Sequence, residues 1–279
     1  MQPEIIRTVA ALRDRVAGWR REGHAVGMVP TMGAPHAGHR ALIEAARRQS
    51  ARVVVTLFVN PTQFAPTEDF SAYPRNEEAD METLTALGVD VLFAPSPGEM
   101  YPKGYDTTIT LGGPAAGLET DYRPHFFAGV ATIVAKLLIA GGPDRAFFGE
   151  KDYQQLLVVK KLVRDLTLPT EIVGCPTVRE KDGLALSSRN AYLSAEERAR
   201  APKLHAMLRA LAGKLKRSRM EIDLSEGRRA LTAVGFGVDY LEVRNAETLA
   251  PVGDWKSEPL RVLVAARLGK TRLIDNIAV

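Results

Sequence analysis

The sequence predicts an α/β fold, in which helices cover both faces of a parallel sheet, followed by a smaller α+β domain at the C-terminus. Residues 25–30 have the length and apolar character of a buried strand, residues 38–50 have helical spacing, and residues 52–59 are a continuous β-branched and apolar run. Such a run is typical of a strand at the centre of a parallel sheet. Because strand, helix and strand alternate, we expect right-handed crossovers between them.

The remaining elements of the larger domain follow the same alternation. The first helix is predicted over residues 8–22, because Thr8 is a capping residue and Gly23 a typical helix stop. After the strand 52–59, the spacing of apolar residues again alternates between the helical and the extended pattern. The further predicted elements are a loop at 65–76 that is long enough to cover a site, the helix 76–87, the strand 89–95, a loop-like stretch 96–122, the helix 129–139, the strand 144–148, the helix 153–165 and the strand 170–173.

The length of 279 residues indicates two domains, since a domain usually has ~100–200 residues. We place the boundary near residues 174–177, so that residues 1–176 form the larger domain and residues 177–279 the smaller one, which would act as a lid. Ser194 and Glu197 have the spacing of a capping box. The smaller domain is predicted to contain helices at about 195–216 and 224–234 and β-like runs at 237–249 and 259–269.

Composition excludes several classes of protein. The chain has 46% hydrophobic and 25% charged residues, and no apolar run approaches the ~20 residues that span a bilayer. The N-terminal segment lacks the apolar core of a secretory signal. A single cysteine, Cys175, excludes an internal disulfide framework and favours a cytoplasmic location. The formal net charge of +4 fits a small polyanionic ligand such as ATP, but Lys and Arg are too dispersed to favour nucleic acid.

Residues 30–39, PTMGAPHAGH, lie where the strand 25–30 passes into the next helix, and they are the strongest candidate for a binding site. His36 and His39 are three residues apart, so both side chains can point the same way from the first helical turn. A helix N-terminus offers free N–H groups and a partial positive charge, to which two imidazoles would add donors for phosphate. Gly33 and Gly38 have no Cβ, which would let the backbone approach a ligand.

Two other interpretations of this histidine pair remain open. The histidines could be metal ligands, but a zinc site usually needs three or four Cys, His or carboxylate ligands. No cysteine or acidic residue lies between Thr31 and Leu42. The histidines could also simply cap the helix, an interpretation that the sequence does not exclude.

A strand followed by His-x-Gly-His at the head of a helix resembles the nucleotidylyltransferase superfamily, and the wider decapeptide resembles the pantothenate synthetase (pantoate–β-alanine ligase) family. The resemblance implies a Rossmann-like parallel sheet and assigns both histidines to ATP phosphates. The segment FVNPTQF, residues 58–64, resembles the family's pantoate-binding segment, in which Gln63 would bind the substrate with help from Asn60. Taken by itself, the same segment could be an Asn-Pro turn.

Two further segments carry the same resemblance. The segment GEKDYQQL, residues 149–156, resembles a family segment in which the GEKD stretch contacts ATP. By the same resemblance, Gln155 would contact pantoate. Asp152 and Gln155 also have capping-box spacing, so capping alone could explain them. The run LALSSRN, residues 184–190, resembles the family's mobile loop over the triphosphate, and a polar loop before a capping box is its structural alternative. Leu186 replaces the usual methionine, a change of similar volume.

One segment departs from the family pattern. The family has Arg-Pro-Gly-His-Phe where this chain has Arg-Pro-His-Phe-Phe, residues 123–127. His125 and Phe126 therefore occupy the Gly and His positions, and we transfer no role to either. Two other functions compete with the ligase: another nucleotidylyltransferase, which the neutral Asn60 and Gln63 disfavour, and a basic RNA-binding protein, which the 6% aromatic content disfavours.

The resemblance implies ATP-dependent condensation of (R)-pantoate with β-alanine, with Mg²⁺ bound through the phosphates and a homodimeric assembly. Nucleic acid and membranes are not expected partners. The residues expected to act in catalysis are His39, His36 and Lys151, and those expected to bind pantoate and β-alanine are Gln63, Gln155 and Asn60. The expected ATP contacts are Met32, Gly33, Ala34, Pro35, His36, Ala37, Gly38, His39, Gly149, Glu150, Lys151, Asp152, Val178, Leu186, Ser187, Ser188 and Arg189.

Overall fold

Six parallel strands form the larger sheet of the computed structural model, which describes residues 2–64 and 76–279. The strand order is β1-β4-β3-β2-β5-β6, and every neighbouring pair is parallel. The predicted α/β class with a parallel sheet is confirmed. The strands are β1 (Glu4–Ile6), β2 (Val26–Thr31), β3 (Arg52–Leu57), β4 (Val91–Phe93), β5 (Arg145–Gly149) and β6 (Glu171–Cys175).

The helices connect these strands in the order that the sequence predicts. Thr8 caps the first helix, accepting a hydrogen bond from the Ala11 N–H, and Asn76 caps the third in the same way through Ala79. The stretch 96–122, expected to be loop-like, contains two single-turn helices. The helices are α1 (Val9–Arg21), α2 (Ala37–Gln49), α3 (Glu77–Ala86), α4 (Pro97–Met100), α5 (Glu119–Tyr122), α6 (Phe126–Gly141) and α7 (Tyr153–Asp165).

Strand order decides where the functional groups meet. From β2 the chain passes to β3 on one side, whereas β5 and β6 lie on the other side of β2. In an open parallel sheet, ligands collect beyond the carboxyl ends of the strands at such a reversal. Residues that follow β2, β3 and β5 therefore share one edge. An apolar core lies behind this edge, in which Val29, Val53 and Phe147 have no exposed surface.

The smaller sheet has three antiparallel strands in the order β7-β8-β9. Its inner face packs with the following helices into a second core, which includes Leu208, Leu241 and Val262. The elements are the helices α8 (Ala195–Arg200), α9 (Lys203–Ser218) and α10 (Ser225–Ala233) and the strands β7 (Phe236–Asn245), β8 (Leu260–Leu268) and β9 (Thr271–Ala278).

Three details differ from the sequence-based expectation. The single helix predicted over 195–216 is wrong, because the chain forms α8 and α9 with a break at Ala201 and Pro202. Proline has no N–H for the helical ladder and its ring clashes with the preceding turn, which explains the break. The strands β1 and β9 were not among the predicted elements.

Contacts divide the chain into two compact units. The first unit consists of residues up to Glu150 together with Val158–Pro176, and the second consists of Lys151–Leu157 with Thr177–Val279. The loop predicted over 65–76 falls on residues 65–75, which lie outside the described residues. Within the described ranges, every helix is too short or too polar to cross a bilayer.

Candidate active site

The turn between β2 and α2 is held against the end of β3. The Thr31 hydroxyl donates to the Thr56 carbonyl over 2.6 Å, and the Thr31 N–H donates to the Thr56 hydroxyl over 3.3 Å. The Thr31 hydroxyl oxygen also accepts a hydrogen bond from the Gly33 N–H at 3.2 Å. These bonds fix the direction in which the chain leaves β2.

A buried carboxylate holds the next part of the turn. Asp80, on α3, accepts a hydrogen bond from the Ala34 N–H at 3.1 Å. Gly33 and Ala34 both have positive φ, 94° and 50°, and such a conformation costs an L residue such as Ala34 about 1 kcal/mol. Burial raises the pKa of Asp80, partly opposed by the Ala34 hydrogen bond. Asp80 therefore holds a turn in which an L residue has positive φ.

His36 and His39 form the corner that the sequence predicts, and they also cap the helix. Nδ1 of His36 accepts from the Gly38 N–H at 3.0 Å, and Nδ1 of His39 accepts from the His36 N–H at 3.4 Å. The ring centroids are 4.2 Å apart. Because Nδ1 accepts in both rings, the proton of each neutral imidazole sits on Nε2. Capping and phosphate binding are thus compatible, since they use different ring nitrogens.

Gln63 lies beside this corner. Its Nε2 is 3.1 Å from the sulfur of Met32, and its Oε1 accepts from the Asn60 side chain at 3.2 Å. Both residues follow β3, in the 3₁₀ turn Pro61–Gln63 and its cap. The fold thus brings the predicted pantoate residue to the predicted ATP turn.

Asn60 is the centre of a buried hydrogen-bond network. Its side chain is almost fully buried and donates to the Gly129 carbonyl at 3.1 Å as well as to Gln63. Its Oδ1 accepts from the Tyr101 hydroxyl at 2.7 Å and from the Thr62 hydroxyl at 3.1 Å. Burial raises the pKa of Tyr101, so its hydroxyl stays a donor. These contacts give Asn60 the role of positioning Gln63.

Gly129, near the start of α6, permits a close approach to the same turn. A Cβ at this position would lie 2.5 Å from the Thr62 carbonyl oxygen and 2.8 Å from the Gln63 nitrogen. Both atoms belong to the backbone and cannot move aside as a flexible side chain would. The helix can therefore pack on this turn only where residue 129 has no side chain.

The segment that departs from the family pattern is built around Arg123. Its guanidinium stacks over the Phe126 ring at 3.8 Å and donates to the Gln63 carbonyl at 3.4 Å. A cation over an aromatic face is favourable by about 0.5–2 kcal/mol. Phe126 is the first residue of α6, whereas His125 is exposed. Phenylalanine at this position thus supports an arginine that contacts the backbone of Gln63.

The segment after β5 forms a 3₁₀ turn over Glu150–Asp152, which leads directly into α7. Gly149 ends β5, whose neighbour in the sheet is β2. The Lys151 ammonium lies 3.9 Å from the Asp152 carboxylate. Gln155 is partly buried in the first turn of α7.

The remaining predicted contacts belong to one hairpin of the second unit. The Leu186 N–H donates to the Val178 carbonyl at 3.0 Å, and Arg179 bridges to Ala185. Ser187 then caps the 3₁₀ helix Ser188–Tyr192, accepting from the Arg189 N–H at 3.2 Å. The stem of the hairpin thus fixes where the serine-arginine segment begins.

Sequence reasoning missed four residues of this region: Asp80, Tyr101, Arg123 and Gly129. Asp80, Tyr101 and Gly129 are separated in sequence from the groups they hold by 41 residues or more, so no local pattern links them. Gly129, in the first turn of an apolar helix, was the one available signal, because a glycine within a helix lowers stability unless it permits a close contact.

Comparisons with known proteins identify the family to which the chain belongs. Residues 4–278 match the family described as pantoate-beta-alanine ligase. A pantothenate synthetase from Bradyrhizobium sp. is 55% identical over 279 residues, covering 99% of both chains, and one from Rhodospirillum rubrum is 56% identical over 277 residues, covering 99% of this chain and 98% of the relative.

Solved structures show the same likeness. A pantothenate synthetase from Thermus thermophilus has a TM-score of 0.88 and 49% identity, covering 98% of each chain. The structure of a pantoate-beta-alanine ligase from Francisella tularensis, complexed with beta-gamma ATP and beta-alanine, has a TM-score of 0.83 and 34% identity, covering 99% of this chain and 97% of that one.

Proposed function

The chain belongs to the pantoate–β-alanine ligase family, and we propose that the histidine corner at the head of α2 and the amide side chains beside it carry out that family's reaction. The reaction joins (R)-pantoate to β-alanine and converts ATP to AMP and pyrophosphate through a pantoyl-adenylate. The 3.1 Å contact between Gln63 and Met32 supports this assignment most directly, since it joins a neutral substrate-binding amide to an anion-binding turn.

The triphosphate of ATP would lie against the start of α2. There the helix dipole, the backbone N–H groups of the first turn and the Nε2–H groups of His36 and His39 supply positive potential. Lys151 adds a compact cation. The other proposed ATP contacts are Met32, Gly33, Ala34, Pro35, Ala37, Gly38, Gly149, Glu150, Asp152, Val178, Leu186, Ser187, Ser188 and Arg189.

The first half-reaction needs positioning and charge neutralisation rather than a base. A carboxylic acid with a pKa near ~4 is ionised at neutral pH, so a pantoate oxygen can attack the α-phosphorus directly. Gln63 and Gln155 would hold pantoate by hydrogen bonds, with Asn60 keeping Gln63 in place. As the bond to pyrophosphate breaks, His39 and, to a smaller extent, His36 would stabilise the charge that develops on the leaving oxygen.

The second half-reaction consumes the mixed anhydride. The unprotonated amine of β-alanine attacks the acyl carbon, the carbon–nitrogen bond forms, and AMP leaves with the bonding electron pair. Water would hydrolyse the same anhydride, so it has to be kept away from the acyl carbon. We assign this exclusion to the loop 184–190 and to a lid function of residues 177–279.

Magnesium is best treated as part of the MgATP substrate. The described residues include no group of three or more His, Cys, Asp or Glu side chains that could hold a metal ion. Mg²⁺ prefers phosphate oxygens and water and needs few protein ligands. When bound, it would neutralise part of the phosphate charge, while the residues named above orient the nucleotide.

The neutral surroundings of Gln63 favour pantoate over a phosphate-bearing acceptor. Asn60, Thr62 and Tyr101 contribute amide and hydroxyl groups, with Arg123 directed at a backbone carbonyl. A nucleotidylyltransferase that acts on a phosphate ester would need more cations here. A homodimer, which the resemblance implies, and a cytoplasmic location, which the single cysteine favours, stay predictions.

The test is pantoate-dependent exchange of labelled pyrophosphate into ATP, with Mg²⁺ present and β-alanine absent. Exchange that requires pantoate would establish reversible formation of the acyl-adenylate. ATP binding without exchange would contradict the proposal, and a panel of other carboxylic acids would then identify the acceptor.

A further inference from the structure

Two neighbouring residues near the end of β9, Asp275 and Asn276, each contact a segment that the proposed function assigns to ATP. Successive side chains of a strand point to opposite faces of the sheet. One short stretch of strand can therefore reach groups on both faces. The structure places these two side chains there, and both are buried.

Asp275 holds the hairpin that leads to the serine-arginine segment. Arg179 donates to its two oxygens over 2.7 and 2.8 Å and to the Gly183 carbonyl over 3.0 Å. Nδ1 of His205, on α9, lies 3.3 Å from the same carboxylate. Burial by itself would raise the pKa of Asp275, but His205 and Arg179 outweigh it and lower the pKa. The hairpin is thus fastened to β9 by an ionised, bidentate pair.

Asn276 holds the segment that carries Lys151. Its Nδ2 donates to the Lys151 carbonyl at 2.9 Å, and its Oδ1 accepts from two nitrogens of Arg261 at 2.8 and 2.6 Å. The Arg261 guanidinium stacks over the ring of Tyr153 at 3.6 Å. The asparagine amide is therefore fixed at both ends, which sets the position of the backbone at Lys151.

The two anchors are joined to each other. The backbone N–H of Asn276 donates to the Asp275 carboxylate at 2.7 Å, so the carboxylate that holds Arg179 also holds the backbone from which the Asn276 side chain extends. Arg179 NH2 also reaches the Asn276 carbonyl at 3.4 Å. We propose that Asp275 and Asn276 are positioning residues for adenylate formation, which keep Lys151 and the Ser187–Arg189 segment in register. This inference rests on the proposed function.

The test uses two nearly isosteric variants and one control. Asn276→Asp keeps an acceptor for Arg261 but replaces the donor to Lys151 with a second oxygen, and Asp275→Asn removes the charge that pairs with Arg179. Asp239→Asn is the control. It breaks the 2.7 Å ion pair between Asp239 on β7 and Arg272 on β9, which supports neither the hairpin nor the Lys151 segment. Melting temperature and the pyrophosphate-exchange parameters are measured for all three.

We expect each β9 variant to lower the exchange rate about tenfold or more, since a misplacement of 1 Å can cost ~100-fold. Asp239→Asn should lower the melting temperature comparably and leave exchange within about twofold of wild type. Adding Asn276→Asp to Lys151→Ala should not lower the exchange rate further. Adding Asp275→Asn to Arg189→Ala should likewise leave the rate of that variant unchanged. Wild-type exchange rates in both β9 variants would overturn the positioning role of Asp275 and Asn276. Losses that add in the double variants would overturn it too. Neither result would contradict the proposed function. Absence of exchange in the wild type would overturn the proposed function and the positioning role with it.

Discussion

The two units hold their proposed ATP contacts by different means. In the first unit, hydrogen bonds of the Thr31 and Asp80 side chains fix the turn after β2, and a glycine that lets α6 approach fixes the turn after β3. In the second unit, the hairpin and the Lys151 segment are fixed by guanidinium groups on Asp275 and Asn276. Steric fit is unforgiving of added atoms, whereas ion pairs respond to charge and pH.

The pKa shifts of two aspartates express the same difference. Asp80 has a raised pKa because it is buried, whereas Asp275 has a lowered pKa because hydrogen bonds with His205 and Arg179 and the charge of Arg179 outweigh its burial. An aspartate therefore supports a turn through a backbone N–H in the first unit and through a guanidinium in the second.

The largest effect is expected from a single added methyl group at the glycine in the first unit. Gly129→Ala would place a Cβ 2.5 Å from the Thr62 carbonyl oxygen, so α6 must move away from the turn that carries Gln63. We expect a loss of about 1–3 kcal/mol in the free energy of unfolding and at least ~100-fold in pantoate-dependent exchange. Denaturant titration and the exchange assay measure the two effects.

Gly18→Ala is the matched control, since its nearest neighbour across space would be Arg21 at 3.9 Å. That substitution, also inside a helix, should raise stability by about 0.5–1 kcal/mol. Wild-type exchange in Gly129→Ala would show that the close approach of α6 has no part in substrate binding.

The next effect compares two proposed hydrogen-bond donors, His39 and Lys151. His39→Ala in the first unit and Lys151→Ala in the second should each lower the single-turnover rate of adenylate formation by about 10²-fold or more, because each donates to developing charge. His24→Ala, which alters a histidine beside Glu22, is the control and should leave the rate unchanged. A rate near wild type in either variant would remove that residue from the mechanism.

A third effect is the opposite pH dependence of two Asp→Asn variants. The raised folded pKa of Asp80 means that the wild type loses stability as pH rises from the ordinary value near ~3.9 through the folded pKa. Asp80→Asn should therefore be the more stable protein at pH 7, with the difference shrinking towards pH 4. Its Oδ1 can still accept from the Ala34 N–H.

Asp275 should show the reverse sign. Its lowered folded pKa gives stability that is fully present above about pH 4 and lost as pH falls through the folded pKa. Asp275→Asn should be less stable than the wild type at pH 7, and the difference should shrink only below about pH 4. Chemical denaturation across this range distinguishes the two, and equal signs would contradict the assignment of either partner set.

The smallest effects are expected at helix caps, where the two units should behave alike. Thr8→Ala and Ser194→Ala each remove one side-chain acceptor, at 3.3 and 3.2 Å from a first-turn N–H. Each should cost about 1 kcal/mol of unfolding free energy, with unchanged exchange kinetics. A loss of exchange in Ser194→Ala alone would show that the cap also orders the preceding hairpin.

The outline of the fold and the histidine corner could be predicted because their signals are local. A β-branched run, helical spacing and a capping residue each lie within a few neighbouring positions, and the His36–His39 pair lies within a single helical turn. The strand β1 was missed because it pairs with the distant β4. The break at Pro202 and the strand β9, which pairs with the adjacent β8, were missed although their signals are local.

By itself, the sequence determined the α/β class, the turn that carries the two histidines and the resemblance to the ligase family, since these depend on residue type and short spacing. Only the tertiary structure decided that Asn60 is the buried centre of a hydrogen-bond network and that Gly129 lets α6 pack closely on the turn after β3. The same holds for Asp275 and Asn276, which together hold two segments. The physical reason is that hydrogen bonds, ion pairs and steric fit join residues up to 125 positions apart, and a linear pattern carries no record of which distant groups will meet.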